Sequence, residues 1–124
     1  MKRVLVCDDE PDILDIIEFI LSEVGWEVIK TEHVNKIIEQ VEQSHPSVIL
    51  MDNWIPDTGG IVATQTLKSH PEYKKIPVVY LTANNDIEIL ARQAGADFSI
   101  AKPFDLTELE RVVEEAYVKS PVKK

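Results

Sequence analysis

Residues 4–11 have the sequence VLVCDDEP, in which four apolar residues precede three acids and a proline. A short apolar run that stops at charged residues is typical of a β-strand buried on both faces of a parallel sheet. The proline suits the first turn of a helix, where its missing N–H is not needed. The stretch therefore predicts a buried strand, an acidic strand end and a helix that begins directly after it.

Strands and helices alternate in the rest of the chain. Apolar residues between Ile13 and Val24 recur at three- and four-residue spacing, as on one face of a helix, and Gly25 follows as a C-terminal stop. The predicted strands cover residues 4–7, 26–31, 48–51, 78–81 and 98–101, and residues 53–60 are predicted to form a loop. The other helices are predicted at residues 34–43, 61–69, 87–94 and 106–116, the last with a capping box formed by Asp105 and Glu108. This alternation predicts an α/β fold, a doubly wound parallel sheet with helices on both faces.

Length and composition limit the possible functions. A chain of 124 residues fits one domain, which we expect to cover residues 1–119, with residues 120–124 as a tail. Thirteen basic and 22 acidic residues give a net charge of −9, which argues against nonspecific binding to nucleic acid or membrane. The single cysteine, Cys7, excludes an intramolecular disulfide and any multi-cysteine metal cluster. The first apolar run is too short for a signal peptide or a membrane span, so we expect a cytoplasmic protein.

Polar residues follow four of the predicted strands. They are Asp8 and Asp9 after the first strand, Asp52 after the third, Thr82 after the fourth and Lys102 after the fifth. All should lie at one edge of the sheet, and ligands of such folds bind beyond the carboxyl ends of the strands. Carboxylates gathered there repel one another, and one lysine offsets only part of their charge. A divalent cation is therefore expected, and Mg²⁺ fits because it uses few protein carboxylates and keeps several waters.

Helix capping is the alternative interpretation of the strand-end acids. Asp9 or Glu10 could cap the helix that begins near Pro11. Capping accounts for one such acid, but it does not account for acids, a hydroxyl and a lysine at successive strand ends.

The same residues form a complete set for phosphoryl transfer. A carboxylate can act as nucleophile and form an aspartyl-phosphate. A metal ion, a lysine and a hydroxyl donor can neutralise the phosphoryl oxygens. The sequence contains no glycine-rich phosphate loop, so nucleotide binding has no support and the phosphoryl group must come from another molecule.

In these motifs the chain closely resembles the CheY-like receiver domain of two-component response regulators. The resemblance covers essentially the whole chain, in order and spacing, through Asp8-Asp9-Glu10, Asp52, Pro56, Gly60, Leu81-Thr82-Ala83, Gly95-Ala96-Asp97 and Lys102-Pro103-Phe104. It implies a flavodoxin-like fold of five strand–helix units with strand order 2-1-3-4-5. It also implies a signalling phosphoprotein rather than an enzyme, with activity limited to its own phosphorylation and dephosphorylation.

The resemblance implies how the acidic residues would act in a phosphorelay. Asp52 would be the phosphoacceptor, taking the phosphoryl group from a phosphohistidine on a sensor histidine kinase or a histidine phosphotransfer protein. Asp9, Asp52 and the backbone carbonyl of Trp54 would bind Mg²⁺, and Asp8 would act mostly through bound water.

The resemblance also implies how the signal would leave the site. Lys102 would pair with the phosphoryl oxygens, and Thr82 would move to hydrogen-bond them. The face built from the fourth helix, the fifth strand and the fifth helix would then bind a downstream protein, with the chain a monomer or a phosphorylation-dependent dimer. Direct contact with nucleic acid or membrane is not expected.

Three positions depart from the usual pattern of the family. The family commonly has Tyr or Phe three residues before the lysine, whereas this chain has Ser99, with Phe98 predicted to point to the opposite face. Trp54 is bulky for its position and could either screen water from the phosphoryl group or simply cover apolar surface. Asn84 offers an amide that would orient water only weakly. We therefore expect a long-lived phosphorylated form.

Two other functions compete with the phosphoacceptor hypothesis. A phosphatase of the haloacid-dehalogenase type also uses a nucleophilic Asp, a Thr or Ser, a Lys and acids around Mg²⁺. Such enzymes carry a second acid two residues after the nucleophile, where this chain has Trp54. The other alternative is a receiver-like interaction module that takes no phosphate, and the absence of an aromatic at Ser99 slightly favours it.

Overall fold

The computed structural model describes residues 2–52, 59–82, 95–101 and 104–121. Within these residues the chain forms one five-stranded sheet in which every strand pair is parallel. The strands are β1 (Arg3–Cys7), β2 (Glu27–Thr31), β3 (Val48–Asp52), β4 (Val78–Thr82) and β5 (Phe98–Ala101). Their order in the sheet is β2-β1-β3-β4-β5, so the predicted doubly wound α/β sheet and its strand order are confirmed.

Four helices lie within the described residues. They are α1 (Pro11–Glu23), α2 (Ile37–Ser44), α3 (Gly60–Ser69) and α4 (Leu106–Lys119). The helix predicted at residues 87–94 lies outside the described residues, so α4 is the helix that was predicted fifth. None of the four is both long enough and apolar enough to cross a lipid bilayer.

The start of α2 differs from the prediction by three residues, because helix periodicity extends into the turn before it. Val34 is buried at the same spacing from Val41 that two turns of helix would give. In the structure residues 34–37 form a turn, in which the Ile37 N–H donates to the Val34 carbonyl at 3.2 Å. The prediction that the helix begins at Val34 is therefore wrong, and the apolar spacing there reflects the burial of Val34 in the turn.

Two hydrophobic clusters form the core, one on each face of the sheet. Alternate strand residues face opposite sides, so Val4, Val6 and Leu50 pack with α1 and α4, while Leu5, Ile49 and Met51 pack with α2 and α3. Every residue of β3 is buried, and full burial of a large aliphatic side chain contributes about 1.5–3 kcal/mol. This central strand carries Asp52 at its carboxyl end.

Helix ends follow the predicted capping chemistry. The Asp105 carboxylate accepts a hydrogen bond from the Glu108 N–H at 2.7 Å and so caps α4. Gly25 has φ of +94°, a conformation that suits glycine at the end of α1. Helix α4 continues to Lys119, and Ser120 after it is buried at 3% exposure.

Cations at the amino ends of the strands are held by acids from other elements. Lys68, near the end of α3, donates to the Asp97 carboxylate at 2.5 Å and to the carbonyls of Lys74 and Ile76 at 3.2 and 2.9 Å. The same Asp97 oxygen accepts the Val78 N–H at 2.9 Å. One ammonium thus joins α3, the segment before β4 and the residue before β5.

Candidate functional site

Strand register brings Asp8 and Asp52 together at the carboxyl edge of the sheet. Cys7 of β1 pairs with Met51 of β3, so the next residue of each chain segment, Asp8 and Asp52, occupies the neighbouring position. Adjacent strands lie about 4.8 Å apart, which puts the two acids side by side. Both are buried, at 0% and 3% exposure. The register therefore places the backbones of these two acids at the same edge of the sheet.

Backbone hydrogen bonds hold Asp8 in place. Its N–H donates to the Thr31 carbonyl at 3.1 Å, which extends the β1–β2 ladder by one residue. Its carboxylate accepts the Glu10 N–H at 3.0 Å. A carboxylate fixed in this way keeps its remaining lone pairs in a defined direction for further ligands.

Three carboxylates gather after β1. Oxygen atoms of Asp8, Asp9 and Glu10 all lie within 4.8 Å of one another, with Asp8 buried, Asp9 half-buried and Glu10 exposed. Like charges this close repel, and a bound divalent cation removes the repulsion. Hard carboxylate oxygens are the ligands that Mg²⁺ prefers, so the donor set fits that ion. The sequence offered Glu10 as part of the acidic motif and as one of two possible helix caps, and it did not predict that the Glu10 carboxylate lies with those of Asp8 and Asp9.

The helix-capping interpretation is wrong for Glu10. Glu10 occupies the N-cap position of α1, yet its side chain makes no capping hydrogen bond. Its backbone carbonyl accepts the N–H groups of Ile13 and Leu14, at 3.0 and 3.2 Å. The backbone therefore starts the helix, and the carboxylate lies with the acid pair.

Tyr80 responds to the charge of Asp52 inside the sheet. Its side chain is fully buried, and in register it pairs with Met51 on one side and Ser99 on the other. Burial, reinforced by the negative charge of Asp52, raises the pKa of Tyr80 to about 12. Sequence reasoning missed Tyr80, which only the strand register places beside Ser99.

Strand alternation sends Phe98 away from this aromatic. Phe98 packs against the cluster on the α1 and α4 face, whereas Tyr80 belongs to the cluster on the α2 and α3 face. The predicted orientation of Phe98 is confirmed, and Ser99 shares the face of Tyr80.

Cys7 is a buried apolar side chain. Burial raises the pKa of the Cys7 thiol, and the neighbouring Asp8 charge raises it further. Thiolate, the nucleophilic form, is thereby disfavoured, so a catalytic role for Cys7 has no support.

Only some of the remaining predicted site residues lie within the part of the chain that the structure describes. Thr82 is the last residue of β4 and pairs with Ala101, which places its backbone at the same edge as Asp52. Lys102 follows Ala101 directly, but Lys102, Trp54 and Asn84 lie outside the described residues.

Comparisons with known proteins agree with this geometry. Residues 4–114 match the sequence profile of the family described as "Response regulator receiver domain". The chain is 34% identical over 110 residues to the phosphate regulon transcriptional regulatory protein PhoB of Escherichia coli, covering 87% of this chain and 48% of PhoB. The chain thus spans about half the length of this curated relative.

Solved structures show the same fold. The receiver domain of NtrX from Brucella abortus superposes with a TM-score of 0.85 at 29% identity, covering 94% of this chain and 99% of that one. The receiver domain of a sensor histidine kinase from Pseudomonas aeruginosa gives a TM-score of 0.86 at 27% identity, covering 94% and 98%. That second structure has a magnesium ion coordinated in its active-site cleft.

Proposed function

Because this chain belongs to the family of response regulator receiver domains, we propose that Asp52 is the residue that accepts the phosphoryl group. The chain is a receiver domain of the two-component type, and receiver domains are signalling phosphoacceptors rather than ordinary enzymes. The observation that carries the assignment is the position of Asp52: a nearly buried carboxylate at the end of the central strand, beside Asp8.

Transfer to Asp52 needs a nucleophile and charge neutralisation. A carboxylate oxygen of Asp52 forms the new bond to phosphorus while the bond from phosphorus to the donor imidazole nitrogen breaks, and the electron pair of that bond stays on the imidazole. The product is a mixed anhydride, and water can later attack it to release inorganic phosphate. Self-phosphorylation from small phosphodonors and self-dephosphorylation follow from the same chemistry.

Asp8, Asp9 and Asp52 would hold Mg²⁺, with the backbone carbonyl of Trp54 as a further ligand. The close carboxylates after β1 support this assignment, since they need a cation to offset their repulsion. Bound Mg²⁺ would supply positive charge against the phosphoryl oxygens during transfer.

Lys102 and Thr82 would complete the site from the neighbouring strands. The β4–β5 register supports this, because it ends Thr82 and Ala101 together at the edge that carries Asp52. The Lys102 ammonium would pair with the phosphoryl oxygens, and the Thr82 hydroxyl would donate a hydrogen bond to them.

The partners follow from the donor chemistry. We propose that a sensor histidine kinase or a histidine phosphotransfer protein supplies the phosphoryl group in the cytoplasm. The downstream protein would bind the face formed by residues 87–94, β5 and α4, and phosphorylation could convert a monomer to a dimer through that face. The conformational switch would depend on movement of Thr82 without an aromatic at position 99, because Ser99 stands where the family commonly has Tyr or Phe.

Intact-mass analysis tests the assignment. The protein is incubated with acetyl phosphate and Mg²⁺, beside Asp52→Asn and, as a matched control, Asp12→Asn, which removes an exposed acid of α1. We expect one phosphoryl group per chain in the wild type and the control, and none in Asp52→Asn.

Other outcomes separate the competing functions. Multiple turnover of a small phosphoester beyond one phosphate per chain would support a phosphatase. An unmodified wild type would support an interaction module that takes no phosphate. The proposed long lifetime is tested by timing the loss of phosphate from wild type and Trp54→Ala, and an unchanged rate would remove Trp54 from the explanation.

A further inference from the structure

Tyr80 is a large polar side chain in the middle of β4 that is completely buried. It is 0% exposed and belongs to the hydrophobic cluster on the α2 and α3 face of the sheet, together with Ala63 and Leu67 of α3. Burying a phenolic hydroxyl costs free energy, which a phenylalanine of nearly the same shape would not cost. Packing of the core therefore accounts for an aromatic ring at this position and does not account for its hydroxyl.

The position of Tyr80 connects the strand of Asp52 with β5. In register Tyr80 pairs with Met51 of β3, the residue directly before Asp52, and with Ser99 of β5. Neighbouring strands lie about 4.8 Å apart, so the backbone of Tyr80 is close to both partners. One buried side chain thus lies on the strand between the one that carries the proposed phosphoacceptor and the outermost strand of the sheet.

The two neighbours of β4 differ in how firmly they are held. Every residue of β3 is buried, whereas β5 is only partly buried and Ser99 within it is small and half-buried. β5 also pairs with β4 alone, because it is the last strand in the sheet order. A partly buried outer strand changes conformation at a lower cost in free energy than a buried central strand. A movement of the Tyr80 ring is therefore expected to displace β5 rather than β3.

The charge of Asp52 already acts on Tyr80 in the unphosphorylated chain. Together with burial it raises the pKa of Tyr80 to about 12, so at neutral pH the side chain keeps its O–H as a hydrogen-bond donor. A phosphoryl group brings more negative charge and further acceptor oxygens to the end of β3. A buried O–H dipole responds to such a change, because the protein interior screens charge less than water does.

We propose that the Tyr80 hydroxyl is a positioning group that couples phosphorylation of Asp52 to the conformation of β5. The inference rests on the proposed function, since it assumes that Asp52 accepts the phosphoryl group. The added negative charge attracts the hydrogen of the phenolic O–H, the ring turns towards the edge that carries Asp52, and β5 adjusts at Ser99. Thr82 would bind the phosphoryl group at the end of β4, and Tyr80 would carry the change across to β5.

Fluorine NMR of protein labelled with 3-fluorotyrosine follows the ring directly. The chain has three tyrosines, and the signal that Tyr80→Phe removes is that of Tyr80. The other two are internal controls: Tyr73 stacks on His70 at 4.5 Å. Tyr117 meets Trp26 edge to face at 5.4 Å. Phosphorylation by acetyl phosphate and Mg²⁺ should shift the Tyr80 signal and leave both control signals in place.

Hydrogen exchange at the amides of β5 measures the coupling itself. We expect phosphorylation to change these exchange rates by at least about fivefold in the wild type and by less than about twofold in Tyr80→Phe. Tyr73→Phe, which removes a phenolic hydroxyl elsewhere, should respond as the wild type does, and intact mass confirms equal phosphorylation of all three proteins. A hydroxyl that only supported the fold would alter exchange equally with and without phosphate, which leaves the ratio of the rates unchanged.

The outcomes separate the role of Tyr80 from the function on which it depends. If acetyl phosphate adds no phosphoryl group to the wild type, the proposed function and the coupling are both wrong. If the wild type is phosphorylated but the Tyr80 signal does not shift, or β5 responds as strongly in Tyr80→Phe, the phosphoacceptor stands and the role of Tyr80 is overturned. Should Tyr80→Phe fail to fold, Tyr73→Phe and Tyr117→Phe assign the fluorine signals by elimination, and the shift of the Tyr80 signal decides.

Discussion

The two edges of the sheet formed by the amino ends and by the carboxyl ends of the strands, here called the amino edge and the carboxyl edge, differ in how their charged residues are arranged. At the amino edge, cations meet acids from distant parts of the chain: Lys2 pairs with Glu114 at 2.5 Å and Lys68 with Asp97 at 2.5 Å. At the carboxyl edge, Asp8 and its neighbours gather as like charges. Paired opposite charges stabilise a fold, whereas gathered like charges reduce its stability until a ligand binds. The contrast separates the part of the molecule that supports the sheet from the part that we propose binds Mg²⁺ and accepts the phosphoryl group.

The amino edge combines its ion pairs with aromatic rings. The Lys2 ammonium lies 5.8 Å from the centroid of the Trp26 ring and 5.7 Å from that of Tyr117, and Trp26 donates to Glu114 at 3.3 Å. The two rings meet edge to face at 5.4 Å. These contacts hold α4 against the start of β1 and β2.

The largest difference between the edges should appear in the phosphorylation rate. Asp9→Asn at the carboxyl edge should slow phosphorylation of Asp52 by at least about 100-fold, because it removes a proposed ligand of the Mg²⁺ that offsets the phosphoryl charge. In enzyme active sites, loss of one group that stabilises charge in the transition state slows the reaction by about this much. Lys2→Met at the amino edge should change the rate by less than about twofold, since Lys2 supports packing only. Intact mass against time measures both rates, and similar rates in the two variants would remove the functional distinction between the edges.

Breaking the Lys68 contacts should give the largest loss of stability at the amino edge. Lys68→Met leaves the Asp97 carboxylate and two carbonyls without their ammonium donor, so we expect the free energy of unfolding to fall by about 2 kcal/mol. Lys74→Met, which removes an exposed lysine, should cost less than about 0.5 kcal/mol. Urea denaturation measures both values, and equal values would show that the Lys68 contacts contribute no more than surface charge.

Tyr80 tests how far the carboxyl-edge charge reaches into the core. Its pKa is raised from 10.0 to about 12 in the folded protein, so the unfolded chain loses the phenolic proton first as pH rises. The stability that Tyr80 contributes is therefore fully present below pH 10 and is lost as pH rises towards 12. Tyr80→Phe should lose less stability over this range than the wild type, as measured by urea midpoints at each pH.

Neutralising Asp52 provides the companion measurement. Asp52→Asn removes a charge that disfavours the phenolate, so the pKa of Tyr80 should move down from its raised value, while burial keeps it above the ordinary value. Ultraviolet absorbance of tyrosinate follows the titration, with Asp15→Asn as a control of equal charge. An unchanged titration would mean that the Asp52 charge does not reach the ring.

The smallest effect should come from an exposed ion pair on α4. Arg111 and Glu115 are one helical turn apart, with an N–O distance of 2.9 Å and side chains that are 57% and 51% exposed. Arg111→Ala should change the free energy of unfolding by less than about 0.5 kcal/mol, since water and salt screen such pairs. A loss as large as that of Lys68→Met would contradict the view that burial and multiple acceptors distinguish the Lys68 contacts.

Local patterns predicted most of the architecture. Strand β5 has the bounds that the sequence predicted, Phe98–Ala101, although it is only partly buried. The cap at Asp105 was also predicted, because it depends on residues three positions apart. Helix α2 was predicted to begin too early, since a buried turn at Val34 has the same apolar spacing as a helix. A helix start is misplaced in this way where a residue outside the helix is buried by tertiary contacts at helical spacing.

The site was predictable in its residue types and less so in its arrangement. Asp8 and Asp52 follow apolar strands directly, so their convergence follows from a parallel sheet. Capping by Asp9 or Glu10 stayed open as an alternative, because the position of Glu10 in the sequence is the same in either role. In the structure the Glu10 N–H donates to the Asp8 carboxylate, and the Glu10 side chain makes no capping hydrogen bond.

The sequence alone determined that acids would meet at the carboxyl ends of parallel strands, because apolar periodicity and strand–helix alternation are local properties. Only the tertiary structure determines which distant charged residues form ion pairs. Lys68 and Asp97 are 29 residues apart in the sequence, and Lys2 and Glu114 are 112 residues apart. The register of β3 and β4 also brings Tyr80 close enough to Asp52 for the Asp52 charge to raise the pKa of the Tyr80 side chain. Contacts between distant residues depend on strand register and on which elements pack together, and the local spacing of apolar residues fixes neither.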